Sequence, residues 1–213
     1  ELPDEVANHI FNLALDKFKT KDLKGWDWWW SWLEIAIELA HTADRQKNVL
    51  AALDEFRKPT NDDWSRNYDY NKVRSYRMKL MARCGTPEEQ RKYLYENIDN
   101  PEFRRKLIQS SWDEKNLDEV LRMAKDGIDH DSQYAGLISE WKEWELKVYL
   151  KRENKQDILR LAREFFLCGG ARSRFGESND FSMERMYSLM KSTVDKSAWP
   201  NWRATLIKDA SKS

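Results

Sequence analysis

Two stretches of the chain begin in almost the same way, 38 residues apart. NLDEVLRMA at 116–124 and NKQDILRLA at 154–162 share a leading Asn, an acid three residues later, and Leu, Arg and Ala in register. An Asn in that place caps a helix by accepting a hydrogen bond from an unpaired backbone N–H. The spacing leaves room for two antiparallel helices and their turns, which is typical of helical repeats. We therefore expect an all-α fold, an α-solenoid of antiparallel helix pairs of tetratricopeptide-like type.

Composition agrees with long amphipathic helices. The 213 residues include only 7 Gly and 5 Pro, while 35% are charged and 40% hydrophobic. TPEE at 86–89 and NPEF at 100–103 are further helix starts, with Thr86 and Asn100 as caps before a proline. Apolar spacing predicts helices at 2–19, 27–42, 44–57, 69–84, 87–98, 101–114, 117–130, 134–151, 155–167, 181–194 and 198–209.

Neither of the two longest predicted loops, 58–67 and 169–180, has the composition of a domain linker. We therefore predict one helical-repeat domain over 1–213. The chain opens ELPDEV without methionine, and we expect it to be a fragment of a longer protein.

Charge and cysteine usage limit the partners. Lys plus Arg and Asp plus Glu both number 37, so no net field draws the chain to nucleic acid. Cys84 and Cys168 fit neither a metal spacing nor a disulfide framework, which favours the cytoplasm. No apolar run is long enough to span a bilayer, and we expect no membrane partner.

Four motifs occur in order between about residues 85 and 205: NxxxPEFR at 97–104, DGI at 126–128, GLISEWKEW at 136–144, and a YxLxK…W close running from Tyr187 to Trp199. In this order they resemble the helical C-terminal region of bacterial SWIM zinc finger proteins. The resemblance implies a tetratricopeptide-like helical repeat. The family's zinc module has a CxC…CxH pattern and is thought to contact nucleic acid or protein, but this chain has no CxC. We therefore do not transfer zinc or its role.

The segment WDWWWSW at 26–32 places five tryptophans in seven positions. On a helix starting near Asp27, Trp29 and Trp32 project opposite a narrow polar stripe and are predicted to be core. Trp28 and Trp30 flank that stripe, so their ring edges are expected near solvent, where they are candidate partner-binding residues. The stripe consists of Asp27, Ser31, Glu34 and Glu38.

The sequence DDWSRNYDY at 62–70 supplies the other aromatic candidates. Trp64, Tyr68 and Tyr70 stand among charges without a helical apolar pattern, beside Arg66. As an exposed loop they could bind a peptide or stack on bases. The alternative is that these rings cover the end of a helix pair. Two further tryptophans, Trp141 and Trp144, have ordinary helix-face spacing and are predicted to be core.

FRRK at 103–106 and ARSR at 171–174 are the densest basic points, so Arg104, Arg105, Arg172 and Arg174 form a candidate basic patch. CGGARSRFG follows a helix instead of opening one and lacks the Lys and Ser/Thr of a P-loop, so a helix stop and a solvated loop explain it better. Helix spacing also predicts surface ion pairs between Asp118 and Arg122 and between Glu143 and Lys147.

The chain contains no recognised catalytic motif. Its three histidines, His9, His41 and His130, lack partners at ligand spacing, and DHD at 129–131 falls at a predicted helix end, where it is interpreted as structural. We expect no catalytic residue, no cofactor and no metal.

The sequence thus predicts a non-catalytic scaffold that binds an unidentified protein or peptide along a concave helical groove. The first alternative is a nucleic-acid-associated accessory domain of a SWIM-type protein, which requires its arginines to converge. The second is a helical-repeat enzyme of base-excision type, which requires a deep pocket around Asp62, Asp63 or Asp69 beside Trp64.

Overall fold

The computed structural model describes residues 2–21, 28–56, 58, 64–169 and 181–211, with the backbone alone at 64–66. The regular elements of these residues are α-helices and no strand occurs among them, so the all-α prediction is confirmed. Contacts group the chain into two compact units, residues 1–97 and 98–213. The single-domain prediction is not decided by this grouping and stays a prediction.

The first unit is built around a cluster of stacked aromatic rings. Trp29 lies 4.8 Å from Phe18 in a stacked arrangement, and its indole Nε1 donates a 2.8 Å hydrogen bond to the Phe18 carbonyl. Trp30 stacks on Tyr76 at 5.5 Å. Because large rings bury more apolar surface than any other side chain, these contacts hold α1, α2 and α4 together. The helices are α1 Asp4–Thr20, α2 Trp28–Glu38, α3 Ala43–Asp54, α4 Trp64–Cys84 and α5 Pro87–Glu96.

A buried arginine fastens α4 to the end of α5. Arg74 is 5% exposed, and its guanidinium donates to the carbonyl of Asn97 at 2.8 Å and to the Asn97 side-chain oxygen at 3.1 Å. Its third partner is the side-chain oxygen of Asn71 at 3.2 Å. A buried charge with several hydrogen bonds of this kind defines a local geometry closely. The predicted cap Thr86, which begins α5, is confirmed, and it forms a capping box with Glu89.

The predicted loop at 58–67 is wrong over its last residues, because α4 begins at Trp64 and not at 69. The sequence from 64 to 70 has no apolar period, because polar and charged residues alternate with its aromatic residues. Lys72 and Tyr76, farther along α4, contact the ring of Trp30. These contacts lie in the part of α4 that apolar spacing predicted, and the helix begins five residues before that part.

The second unit contains six helices within the described residues. Its core includes Leu146, Leu161, Phe165 and Met190, together with Trp141, and each is less than 5% exposed. The helices are α6 Pro101–Asp113, α7 Leu117–His130, α8 Ala135–Lys151, α9 Lys155–Leu167, α10 Met183–Thr193 and α11 Trp199–Ala210.

The turn between α6 and α7 recurs between α8 and α9, 38 residues later. Lys115 and Glu153 both adopt left-handed backbone, with φ of 61° and 53°. Asn116 and Asn154 then cap the following helices, each side chain accepting at 3.3 Å from the backbone N–H three residues on. The sequence similarity of these segments therefore specifies the same turn twice.

Candidate partner-binding groove

A charged pair joins α6 to α8 in the second unit. Arg105 donates from Nε to Glu140 Oε1 at 2.5 Å and from Nη2 to Oε2 at 2.8 Å. This two-pronged geometry is the strongest that an arginine and a carboxylate can adopt. The Arg105 and Glu140 side chains are only 28% and 12% exposed. The pair is thus partly desolvated and fixes the distance between the two helices.

Two tryptophans form a second link between the same helices. The rings of Trp112 and Trp144 lie 5.7 Å apart at an interplanar angle of 63°, an edge-to-face contact. Both are half-buried. Lys147 Nζ lies 4.1 Å from the Trp144 ring centroid, a cation–π contact. Trp144, predicted as core, therefore has its ring between a helix neighbour and the surface.

Between these two links lies an open groove of about 820 Å³. Its rim on α6 is polar: Gln109 donates to Asp113 at 2.8 Å and Ser110 to Glu114 at 3.2 Å. Protein-binding surfaces often combine an aromatic side chain with a rim of polar groups. The aromatic side chain supplies much of the binding free energy, and the polar rim orients the partner. The α6–α8 groove is lined by Arg105, Lys106, Gln109, Asp113, Glu140 and Trp144, among others.

Arg104 was predicted to belong to a surface basic patch, and this position is wrong. The residue is 3% exposed, and its Nη1 donates to the Met123 carbonyl at 2.9 Å. Burial lowers the pKa of Arg104, and the carboxylate of Asp131 opposes that shift. Its Nε is buried without a hydrogen-bond partner. Arg104 lies on the buried face of α6 together with Phe103 and Leu107, which explains why its side chain points into the protein.

Asp131, from the DHD motif, anchors the core. It is 2% exposed and accepts from Trp141 Nε1 at 2.7 Å, while His130 Nδ1 lies 2.7 Å from its other oxygen. Because a buried indole N–H needs an acceptor, Asp131 performs a structural function here.

Gly127, from the DGI motif, leaves room for the same ring. A Cβ at this position would lie 2.8 Å from Trp141 Cδ1 and 2.9 Å from Arg104 Cδ. Contacts that short require the neighbours to move, so a side chain at 127 would displace either the indole or the guanidinium.

Two carboxylates are buried on α8 beside the groove residues. Glu143 is 8% exposed and its Oε1 has no hydrogen-bond partner. Burial raises the pKa of Glu143 to about 7, with Lys147 lowering it and Glu140 raising it further. Burial also raises the pKa of Glu145, against the opposing fields of Arg160 and Lys125. Their burial was not predicted, because a charged residue in a helix usually faces water.

The structure gives other contacts to Asp118, Arg122 and Lys147, three of the four residues in the two ion pairs predicted from helix spacing. Arg122 binds Glu119 at 2.7 Å and Asp126 at 2.7 Å, and Asp118 pairs at 2.6 Å with Arg152, the residue after the end of α8. Lys147, the predicted partner of Glu143, lies over Trp144. Each charge has several neighbours at helix spacing, and tertiary contacts select among them.

The division of the tryptophan-rich segment into buried and exposed residues differs in part from the prediction. Trp29 is 1% exposed, as expected for core, and Trp32 packs on the core while half-buried. Trp30 is only 5% exposed, so the expectation that its edge meets solvent is wrong. Tyr76 from α4 stacks on one side of Trp30, and Phe18 from α1 lies 5.9 Å away. Trp28 is 71% exposed.

The remaining candidates are distributed as follows. Tyr68 is 44% exposed and accepts a hydrogen bond from Lys72 Nζ at 3.2 Å. Tyr70 is half-buried, with the guanidinium carbon of Arg74 5.4 Å from its ring centroid. The side chains of Trp64 and Arg66, and all of Asp27, Asp62, Asp63, Arg172 and Arg174, lie outside the described residues.

Three further features of the described part of the chain bear on the metal and enzyme expectations. No group of three His, Cys, Asp or Glu side chains converges there as metal ligands would. A cavity of about 430 Å³ between α8 and α9 is lined by Ile138 and Phe165, with the Lys142–Glu164 ion pair beside it. Asp69, named for the base-excision alternative, is half-buried on α4.

Comparisons with protein-family models, with curated proteins and with solved structures find no match to this chain. Among the helices of the described residues, none combines the length and the apolar character that crossing a membrane requires.

Proposed function

We propose that the chain is a non-catalytic helical-repeat scaffold that binds a peptide segment of a protein partner in the α6–α8 groove. In this proposal α6–α7 and α8–α9 are successive antiparallel pairs of a tetratricopeptide-like solenoid. The first helices of the pairs, α6 and α8, line its concave face. The 38-residue recurrence of the turn and of its Asn cap supports this arrangement.

The observation that carries the proposal is the position of Trp144. Its ring is half-buried, packs on Trp112 of α6 and lines the groove together with polar residues of α6. The Arg105–Glu140 pair already links the two helices, so the groove is largely formed before a partner arrives. A preformed groove loses less conformational entropy on binding.

A peptide-display selection on the purified chain tests this proposal. Selected peptides should lose about 30-fold in affinity for Trp144→Ala, since removing a central tryptophan costs about 2 kcal/mol at a binding surface. Trp28→Ala is the matched control, because Trp28 is the most exposed tryptophan among the described residues and lies in the other unit. Circular dichroism checks that both variants fold. Equal affinity of Trp144→Ala and wild type would remove the groove from the proposal.

Membership of the SWIM zinc finger family and a cytoplasmic location stay part of the same proposal. The motif order in 85–205 supports the first. The two free, exposed cysteines, Cys84 and Cys168, support the second, because exposed thiols persist in a reducing compartment. The nucleic-acid alternative is weaker, since Arg104 is buried and Arg105 is engaged by Glu140.

A further inference from the structure

Lys147 on α8 lies over Trp144, which lines the α6–α8 groove, and it follows Glu143 by four residues on the same helix. Lys147 Nζ lies 4.1 Å from the centroid of the Trp144 ring. Glu143 precedes Lys147 by four residues, the spacing and order at which a glutamate and a lysine reach each other best. The carboxyl group of Glu143 is buried, and one of its oxygens lacks a hydrogen-bond partner. A single ammonium cannot be centred on the ring and fully bind this oxygen at the same time.

The two protonation states of Glu143 favour different partners for the Lys147 ammonium. As a neutral acid, Glu143 needs no counter-ion, and the ammonium gains more from the face of the indole. As a carboxylate it is a buried charge with a bare oxygen, which is costly unless a cation pairs with it. Both forms are populated near neutrality, because burial raises the pKa of Glu143 to about 7.

Most other charged groups packed around α8 have partners of their own, and the buried Arg104 of α6 donates from Nη1 to the Met123 carbonyl. On α6, Arg105 is bound by Glu140, and on α9, Glu164 is bound to Lys142. The fields of Lys125 on α7 and of Arg160 and Asp157 on α9 act on Glu145. For Glu143 itself, the charges that act within the described residues are Lys147, which favours ionisation, and Glu140, which opposes it. Lys147 is thus the cation placed to respond when Glu143 loses its proton.

We propose that Lys147 is a gate over Trp144 and that Glu143 controls it. While Glu143 carries its proton, the Lys147 ammonium covers the indole face. When Glu143 ionises, it draws Lys147 off the ring and uncovers Trp144 for an apolar or aromatic side chain of the bound peptide. This regulation rests on the proposed function, because it concerns the same groove.

NMR of the full chain without any partner tests the gate. The CεH₂ signal of Lys147, assigned with Lys147→Arg, should be shifted upfield by the Trp144 ring current at about pH 5.5 and move to ordinary lysine values by about pH 8.5. Its midpoint should fall near the pKa of about 7. In Glu143→Gln the signal should stay upfield throughout. Glu153→Gln, which changes an exposed carboxylate in the turn after α8, should titrate like wild type.

Two results would overturn the gate: a Lys147 signal that does not move with pH, or one that moves equally in Glu143→Gln. If Glu143→Gln does not fold, the ¹³C carboxyl signal of Glu143 in the wild type replaces it. That signal must titrate with the same midpoint as the Lys147 signal, and different midpoints would equally overturn the gate. Because no peptide is present, a flat Lys147 signal removes the gate alone, whereas failure to select any groove-binding peptide counts against the proposed function alone.

Discussion

At the scale of single residues, Trp141 is fixed by three buried contacts of different kinds. Asp131 accepts its indole hydrogen, the guanidinium of Arg104 lies 5.8 Å from its ring, and Gly127 leaves it space. Sequence reasoning predicted Trp141 as core from its spacing. It did not predict these partners, because they come from α6 and α7 and no pattern within α8 encodes them.

Replacing Asp131 should therefore destabilise the protein clearly. Asp131→Ala leaves the Trp141 N–H buried without an acceptor, and the free energy of unfolding should fall by about 1–3 kcal/mol. Urea unfolding followed by circular dichroism measures this loss. Asp129→Ala is the matched control, because Asp129 is exposed on the same helix end, and it should change stability by less than about 0.5 kcal/mol. Equal effects of the two variants would contradict the anchoring role.

Glu143 should make stability depend on pH. Its pKa is raised to about 7 from the ordinary 4.5, so the folded state binds the proton more tightly than the unfolded state does. The stabilisation that protonated Glu143 confers is full below about pH 4.5 and is lost as pH rises through about 7, on the order of 3 kcal/mol in all.

Glu143→Gln should remove this part of the pH dependence. The variant should show a higher urea midpoint than wild type at about pH 8 and a smaller change in midpoint between about pH 6 and 8. The urea midpoint of the variant should still depend on pH to some extent, because burial raises the pKa of Glu145 as well. The control Glu153→Gln should behave as wild type. If the urea midpoint of Glu143→Gln changes with pH in parallel with that of wild type, Glu143 is not the titrating group.

At the scale of helices, the capping residues predicted where helices begin better than any other signal did. The starts of α5, α6, α7 and α9 follow the predicted caps Thr86, Asn100, Asn116 and Asn154. These signals are local, since cap and acceptor lie within three residues of each other. The start of α4 at Trp64 was missed because residues 64–68 show no apolar period. The α6–α8 groove was missed for a different reason: Arg105 and Glu140 are 35 residues apart.

The recurring turn gives a prediction at this scale. Asn154→Ala should lower the free energy of unfolding by about 1 kcal/mol, because the Asp157 N–H loses its acceptor. Asn116→Ala should have a similar effect, since it removes the same hydrogen bond from the equivalent turn. The exposed neighbour Lys155→Ala serves as control. The measurement is thermal unfolding, and a loss at only one Asn would contradict the equivalence of the two turns.

At the scale of the whole molecule, balanced charge separates the two binding alternatives. With 37 basic and 37 acidic residues, the scaffold proposal predicts no saturable binding to single-stranded DNA or RNA at about 50 mM salt, measured by fluorescence anisotropy. The nucleic-acid alternative predicts saturable binding that weakens steeply toward about 200 mM salt. Saturable binding of that kind would displace the peptide-scaffold proposal.

The central claim is that a peptide is bound in the α6–α8 groove, and the most direct test is to observe Trp144 during binding. The indole N–H signals of the tryptophans in ¹⁵N-labelled protein are assigned with Trp144→Phe and Trp28→Phe and followed as a selected peptide is added. The account predicts that the Trp144 signal shifts in proportion to occupancy while the Trp28 signal stays in place. A shift confined to Trp28, with Trp144 unchanged at saturation, would contradict it.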